Sequence, residues 1–257
     1  MTVNFRYTFL IVLFLISFFD KINLTAQDRE KPFKEGEMLR YEMYYGWITG
    51  GEAGLTVKKE KFKGKDVFHV TAIGKTIGLT HVIYHVYDIY ESWFDINTGL
   101  PYKSLMNLTE GNWTSYNVVH FNQDTHTLIS KKSGVKNIGQ EVFDVVSAFY
   151  YIRENIDNLE TGQILEIFTY FHDKPWNMII RYKGVENIKT ELGKIKCMKF
   201  KPVVEKGTFK DEEALDIWIS NDKNKIPIRV KMKLFVGSFK ADLVEYKGLK
   251  YPLTFYK

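Results

Sequence analysis

The sequence predicts a mainly β protein, built as a large antiparallel curved sheet or half-open barrel of about twelve strands with one good α-helix. Aromatic residues make up 16% of the 257-residue chain, and they favour strands because flat rings pack well on a pleated surface. Apolar and polar residues alternate through most of the chain. One segment alone shows apolar residues at clear helical spacing. So many strands cannot stay flat, because sheet twist accumulates from strand to strand.

The first 26 residues have the pattern of a signal peptide. Arg6 precedes an apolar run at residues 8–19, and this run is shorter than the roughly 20 residues that span a membrane. Ala26 is small, as expected just before a cleavage site. We therefore expect residues 1–26 to be removed and residues 27–257 to form one all-β domain, exported to the periplasm or secreted.

Alternation predicts the strands in order. Residues 27–35 are polar and are expected to form a loose lead-in, and residues 76–86 are ambiguous between a short helix and a strand edge. The predicted strands are residues 39–47, 53–57, 67–73, 87–94, 102–108, 113–122, 127–132, 164–171, 176–182, 188–192, 195–204, 215–220, 228–234 and 239–243. Cys197 and Met198 are adjacent and both apolar, which predicts a β-bulge between them.

The helix is expected to begin at Asp144, whose carboxylate can accept hydrogen bonds from the first-turn amides. Val145, Phe149 and Ile152 form its apolar stripe. Arg153 lies near its end, where a cation suits the helix dipole.

Charge and cysteine content exclude several classes of protein. The net charge of +5 is far below that of a nucleic-acid binder. The chain has one cysteine, Cys197, so it holds no internal disulfide, and we expect this thiol to be a buried apolar residue.

Three segments carry a family resemblance: residues 36–55 (GEMLRYEMYYGWITGGEAGL), 144–153 (DVVSAFYYIR) and 215–243 (LDIWISNDKNKIPIRVKMKLFVGSFKADL). Together they resemble the domain-of-unknown-function 3108 family of exported bacterial proteins. The resemblance implies a periplasmic or envelope β protein and supplies no catalytic residues. A looser similarity of architecture to lipoprotein carriers implies a helix on the concave side of the sheet.

Aromatic residues exceed what one hydrophobic face needs, so some could line a concave apolar cavity. The alternative is that both faces of the sheet are covered and the rings are core. On the first interpretation the chain binds an apolar or amphipathic ligand such as a lipid, and the predicted ligand-binding residues are Trp47, Tyr87, Trp93, Phe149 and Trp218. The alternative function is a structural or protein-interaction domain without a cavity, which would dock an envelope protein.

Candidate chemistry is sparse. His81 and His85 are four apart, as metal ligands on a helix are, but ordinary surface histidines explain them better, and no metal or other cofactor is predicted. Asp88 and Glu91 could serve a glycan hydrolase, although odd spacing places them on opposite faces of a strand. We therefore expect no enzymatic activity. Basic residues on the late strands could instead contact anionic lipid headgroups, a peripheral membrane contact, or simply be solvated. They are Lys196, Lys199, Lys201, Arg229, Lys231, Lys233 and Lys240.

Overall fold

The computed structural model describes residues 30–202, 215–233 and 237–256, so the predicted signal peptide lies outside the described residues. This part of the chain forms two helices, α1 (Gly78–Ile83) and α2 (Val145–Glu154), and fourteen strands. The strands are β1 (Met38–Tyr45), β2 (Ile48–Phe62), β3 (Lys65–Thr76), β4 (Val86–Asp95), β5 (Pro101–Glu110), β6 (Trp113–Asn122), β7 (Thr127–Ser130), β8 (Gly134–Asn137), β9 (Ile164–Phe171), β10 (Lys174–Thr190), β11 (Gly193–Pro202), β12 (Leu215–Ser220), β13 (Pro227–Lys233) and β14 (Ser238–Lys247).

All fourteen strands belong to one antiparallel sheet. Its order is β8-β7-β6-β5-β4-β3-β2-β1-β14-β13-β12-β11-β10-β9, so the first and last strands of the chain pair in the middle. The two outer strands, β8 and β9, do not pair with each other through a backbone ladder. The predicted large curved antiparallel sheet is therefore confirmed, with fourteen strands.

The curved sheet wraps around α2. On one side of the helix, Val146 and Tyr150 pack with Val57 and Val70 of β2 and β3. On another side, Ala148 and Ile152 pack with residues of β9 to β12, which include Ile167, Met178, Phe200 and Ile219. The helix therefore lies on the concave face and touches both halves of the sheet.

Of the two alternatives for residues 76–86, the structure has the short helix, α1. Two other local features differ from the predictions. The short strand β8 was not predicted. The segments 176–182 and 188–192, expected as two strands, belong to the single strand β10. Its pairing with β11 shifts register between Tyr182 and Val185, where Gly184 has a φ of +98°, so the interruption in the pattern is a bulge within one strand.

The predicted bulge between Cys197 and Met198 is wrong. Pairing with β12 continues without a register shift through both residues. Cys197 packs into one apolar cluster and Met198 into another, because both faces of β11 are covered at this point. Cys197 is buried, as expected.

The lead-in before β1 is also more ordered than its polar composition predicts. Phe33 is buried with its ring centroid 4.6 Å from that of Tyr150 on α2. Lys31 forms an ion pair with Glu154, at 2.8 Å between Nζ and Oε1. An aromatic ring and an ion pair thus dock this segment against the helix.

Candidate functional site

Helix α2 is fixed at its beginning by Asp144. One carboxylate oxygen accepts hydrogen bonds from the backbone amides of Val146 and Ser147, and the hydroxyl of Ser147 donates back to this carboxylate. Ser92 of β4 donates to the other oxygen and so ties the cap to the sheet. Burial raises the pKa of Asp144, although these hydrogen bonds oppose the shift.

The other end of α2 is held by a buried ion pair. Arg153 donates to both carboxylate oxygens of Glu37, at 2.6 and 2.8 Å, and also to the carbonyl of Asn224 at 2.8 Å. Its guanidinium carbon lies 5.2 Å from the centroid of the Phe33 ring. Burial alone would lower the pKa of Arg153, but the adjacent Glu37 outweighs this effect, so the pKa is raised and the guanidinium stays charged. Position 153 is thus a structural anchor, which the helix-dipole interpretation missed.

The helix covers only part of the concave face. Along β2, β3 and β4, the residues facing α2 are Val57, Val70 and Phe94, which are buried. Further along the same face, towards the strand ends that meet the β1–β2 turn, the side chains are small or half-buried. We call this surface the trough; it consists of Met43, Ala53, Ala72, Gly74, Tyr90, Val230 and Ala241 of the sheet and, at its border with the buried cluster of Val57 and Val70, Phe149 of α2.

The trough has free space above its floor. Gly74 pairs with Ala53 on one side and with Asp88 on the other. A Cβ atom added at Gly74 would meet no other atom within 4 Å, at a backbone φ that any residue can adopt. Alanine and glycine at neighbouring positions therefore leave an open depression on the concave face, which is mostly apolar and is bordered by Asp88.

A cavity of about 40 Å³ lies at the beginning of α2 and shares Tyr90 with the trough. Its lining is mixed, with Ser104, Asn117 and Asp144 beside Met106 and Phe171. One water molecule needs about 10–15 Å³ of such a cavity. The cavity therefore has room for a few water molecules and not for an alkyl chain.

Asp173 closes the wall of this cavity. The residue lies in the β9–β10 turn at one end of the strand order, and it accepts hydrogen bonds from Ser130 and Asn117 at the other end. Tyr170 also donates to it, at 2.9 Å. Burial alone would raise the pKa of Asp173, but hydrogen bonds from Ser130, Tyr170 and Ser133 outweigh that effect, so its pKa is lowered.

The five predicted ligand-binding residues do not converge on one place. Phe149 belongs to the trough. Trp93 and Trp218 are buried, and their indole N–H groups donate to Glu60 and Glu186. Trp47 and Tyr87 are exposed near one end of the sheet. None of the five lines the 40 Å³ cavity.

The prediction of ligand-binding residues from an excess of aromatic side chains overlooked the small residues of the trough. Ala53, Gly74 and Ala241 define the trough by leaving space, and alternation along β2, β3 and β14 could have placed them on the inner face. Nothing local in the sequence could have joined Glu37 to Arg153, because 116 residues separate them.

Asp88 and Glu91, the two carboxylates considered for glycan hydrolysis, lie on opposite faces of the sheet. Asp88 accepts from the amide of Thr109, and burial, followed by the nearby charge of Glu110, raises its pKa. Glu91 instead contacts His69 and Thr71 on the opposite face of the sheet. In the described parts of the chain, no three His, Cys, Asp or Glu residues are placed to hold a metal ion; the rings of His81 and His85 approach to 3.2 Å between Nδ1 atoms.

The predicted basic patch is interrupted by acids. Arg229 and Lys240 both pair with Asp242, and Lys201 pairs with Asp216 at 3.1 Å. Lys199 pairs with Glu186 at 3.0 Å. Three acids therefore pair with four of the seven predicted basic residues, which lowers the positive charge of the outer face of β11 to β14.

One solved structure with a TM-score above 0.5 supports the fold. A β-barrel-like protein of domain of unknown function DUF1849 from Brucella abortus aligns with a TM-score of 0.54 at 6% identity, over 85% of this chain and 100% of that chain. A "putative lipoprotein" from Parabacteroides distasonis aligns with a TM-score of 0.39 at 11% identity, over 86% and 100%. A "putative exported protein with YmcC-like fold" from Bacteroides fragilis gives 0.38 at 11%, over 85% and 99%.

No curated protein shows significant similarity to this sequence. Neither α1 nor α2, nor any other helix within the described ranges, has the length and apolarity that a membrane crossing requires. A family model described as "Protein of unknown function (DUF3108)" matches residues 40–244, which is most of the chain and includes all fourteen described strands in whole or part and both helices. The chain therefore belongs to the DUF3108 family.

Proposed function

We propose that this protein binds an amphipathic, lipid-like ligand, with the alkyl part of the ligand in the trough. The observation that carries the proposal is the open space above Gly74, on a floor whose apolar part includes Ala53, Ala72 and Ala241 and whose border holds Asp88. Helix α2 fills the remainder of the concave face, so the ligand would lie between Phe149 and the floor.

The trough is an open depression, and a ligand in it stays partly in contact with water. Burying about ten methylene groups contributes ~8 kcal/mol to the free energy of binding, which corresponds to a micromolar dissociation constant. The entropic cost of association makes the actual binding weaker than this. Such an affinity suits a protein that both accepts and releases a ligand.

We infer that the chain acts by binding and not by catalysis. Supporting this, the buried Asp144 and Glu37 have structural partners, since Asp144 caps α2 and Glu37 pairs with Arg153, and the half-buried Asp173 joins the ends of the sheet. We further infer export to the bacterial envelope, which rests on the signal-peptide pattern of residues 1–26. A mature chain that begins at Gln27 supports export, and one that begins at Met1 contradicts it.

Native mass spectrometry with lysophosphatidylcholine, kept below its micelle-forming concentration, tests ligand binding. We expect one bound lipid on the wild type and about tenfold weaker binding to Gly74→Phe, whose ring would occupy the space of roughly two or more methylene groups. Thr56→Phe is the matched control, because Thr56 is exposed on the opposite face of the adjacent strand. A wild type that binds no lipid, or equal binding by wild type and Gly74→Phe, refutes the proposal. Either result favours the alternative of a protein-interaction domain.

A further inference from the structure

Three short connections meet at one end of the sheet and expose an unusual number of apolar side chains. Trp47 in the β1–β2 turn is 89% exposed, and Leu79, Val82 and Ile83 of α1 are 75%, 79% and 76% exposed. Tyr84 and Trp113 are also about half exposed. We call these six residues the apolar tip. Water-soluble surfaces rarely leave so many large apolar side chains together without a function.

The three connections are held next to one another by backbone contacts. The amide of Ile77 donates to the carbonyl of Gly50, which joins α1 to the start of β2. The amide of Gly111 donates to the carbonyl of His85, which joins α1 to the β5–β6 turn. The tip is therefore one continuous surface, although its residues come from distant parts of the sequence.

Charge is missing from most of this surface. Residues 44–51 and 76–87 contain no Asp, Glu, Lys or Arg, in a chain whose charged content is 26%. At the base of the tip, Glu52 and Lys75 form an ion pair at 3.4 Å, and Glu110 pairs with Trp113 across the β5–β6 turn. A partner for this surface thus meets few charges, and it must accept apolar side chains that project separately.

We propose that the apolar tip inserts into the interfacial region of a phospholipid bilayer. Tryptophan and tyrosine favour this region, because a ring can be buried while its polar atom stays in contact with water. Leu79, Val82 and Ile83 would reach the acyl chains, and the Glu52–Lys75 pair limits the depth of insertion. Helix α1 has no buried residue of its own, so its apolar side chains are free to face the membrane.

The position of the tip links it to the trough. The strand ends that carry the tip are the near ends of β2, β3 and β4, and the trough residues Ala53, Gly74 and Tyr90 lie on the same strands a few residues away. A protein docked by its tip would hold the open end of the trough against the bilayer. The transfer of lipid between the bilayer and the open end of the trough rests on the proposed function, whereas bilayer docking by the tip does not.

Flotation with neutral phosphatidylcholine vesicles tests the docking. We expect the wild type to float with the vesicles, and to do so at high salt as well, because the contact is apolar. The double variant Leu79→Ser/Ile83→Ser should bind at least about tenfold more weakly. The control Phe255→Ser/Tyr256→Ser removes exposed rings near the β10–β11 turn, at the other end of the sheet, and should bind like the wild type.

Vesicles with brominated acyl chains report the contact directly. They should quench the tryptophan fluorescence of the wild type, and Trp47→Phe should keep vesicle binding while losing a large part of this quenching. Wild type that stays unbound, as expected if the tip instead docks a protein, overturns the inference, and so does undiminished binding by the Leu79→Ser/Ile83→Ser variant. The trough variant Gly74→Phe should still float, and the tip variant should still bind monomeric lysophosphatidylcholine, so docking and ligand binding can fail separately.

Discussion

The carboxylate of Asp173 accepts a hydrogen bond from the hydroxyl of Ser130, although the two residues belong to opposite ends of the sheet. No backbone ladder joins β8 to β9. Side chains close the gap instead, and the chain before α2 helps, since Phe143 exchanges backbone hydrogen bonds with Phe168 and Tyr170 of β9. The curvature that creates a concave face thus depends on a few polar contacts along this seam.

Replacing Asp173 by alanine should destabilise the seam. The change removes the acceptor for Ser130, Asn117 and Tyr170, and a lost charge-assisted network of this kind costs about 1–3 kcal/mol in the free energy of unfolding. Urea denaturation at neutral pH measures the loss. Asp124→Ala, at an exposed position in the β6–β7 turn, is the control and should change stability little.

The effect of Asp173 should depend on pH. Its pKa is lowered in the folded protein, so it contributes stability above the ordinary aspartate pKa of about 3.9, and this contribution is lost as the pH falls through the lowered value. The stability difference between wild type and Asp173→Ala should therefore shrink below about pH 4. A difference that stays constant down to acidic pH would show that the carboxylate charge is not what holds the seam.

The pair formed by Arg153 and Glu37 predicts strong non-additivity. Arg153→Met alone leaves a buried carboxylate without its partner and should cost about 3–5 kcal/mol. The double variant Arg153→Met/Glu37→Gln removes both charges and should be more stable than Arg153→Met. A double-mutant cycle by chemical denaturation gives the coupling energy, and purely additive effects would exclude a coupled buried pair.

Asp144 should show the opposite pH dependence to Asp173. Burial raises its pKa, so its contribution to stability is complete below the unfolded pKa and is lost as the pH rises through the folded value. Asp144→Asn keeps an N-cap without the charge, so wild type should lose stability relative to this variant as the pH rises from about 3 to 7. Asp144→Ala removes the cap itself and should cost about 1–2 kcal/mol across the range.

Cys197 offers a measure of global opening. Burial raises the pKa of its thiol to about 12, and its neighbours on β11 and β12 are core residues. A thiol reagent at neutral pH should therefore react with Cys197 only at the rate of unfolding. Ser133→Cys, at an exposed position in the β7–β8 turn, should add a second thiol that reacts at once. Rapid labelling of wild-type Cys197 would indicate local opening of β11.

Strand positions and the α2 cap were predictable because they follow from local patterns. Strands β6 and β9 begin and end where alternation places them, and Asp144 caps the helix as its residue type predicts. The pattern failed where both faces of a strand are buried, as at Cys197 and Met198. It also failed where one residue is decisive, as Phe33 is in the lead-in. The trough itself depends on the pairing of strands distant in sequence, which no local pattern encodes.

Two glycines in neighbouring strands test the open trough without any ligand. At Gly74 an added Cβ meets nothing within 4 Å, whereas at Gly51 it would lie 2.5 Å from Cε of Met43 and 2.7 Å from the carbonyl oxygen of Lys75. Glycine in a strand costs conformational entropy, so Gly74→Ala should stabilise the protein by about 0.5–1 kcal/mol. Gly51→Ala must displace backbone and should destabilise it by about 1–3 kcal/mol. Thermal and urea unfolding of the two variants decide the matter. If Gly74→Ala is as harmful as Gly51→Ala, the space above Gly74 is filled in solution, and the trough does not exist as a place for an alkyl chain.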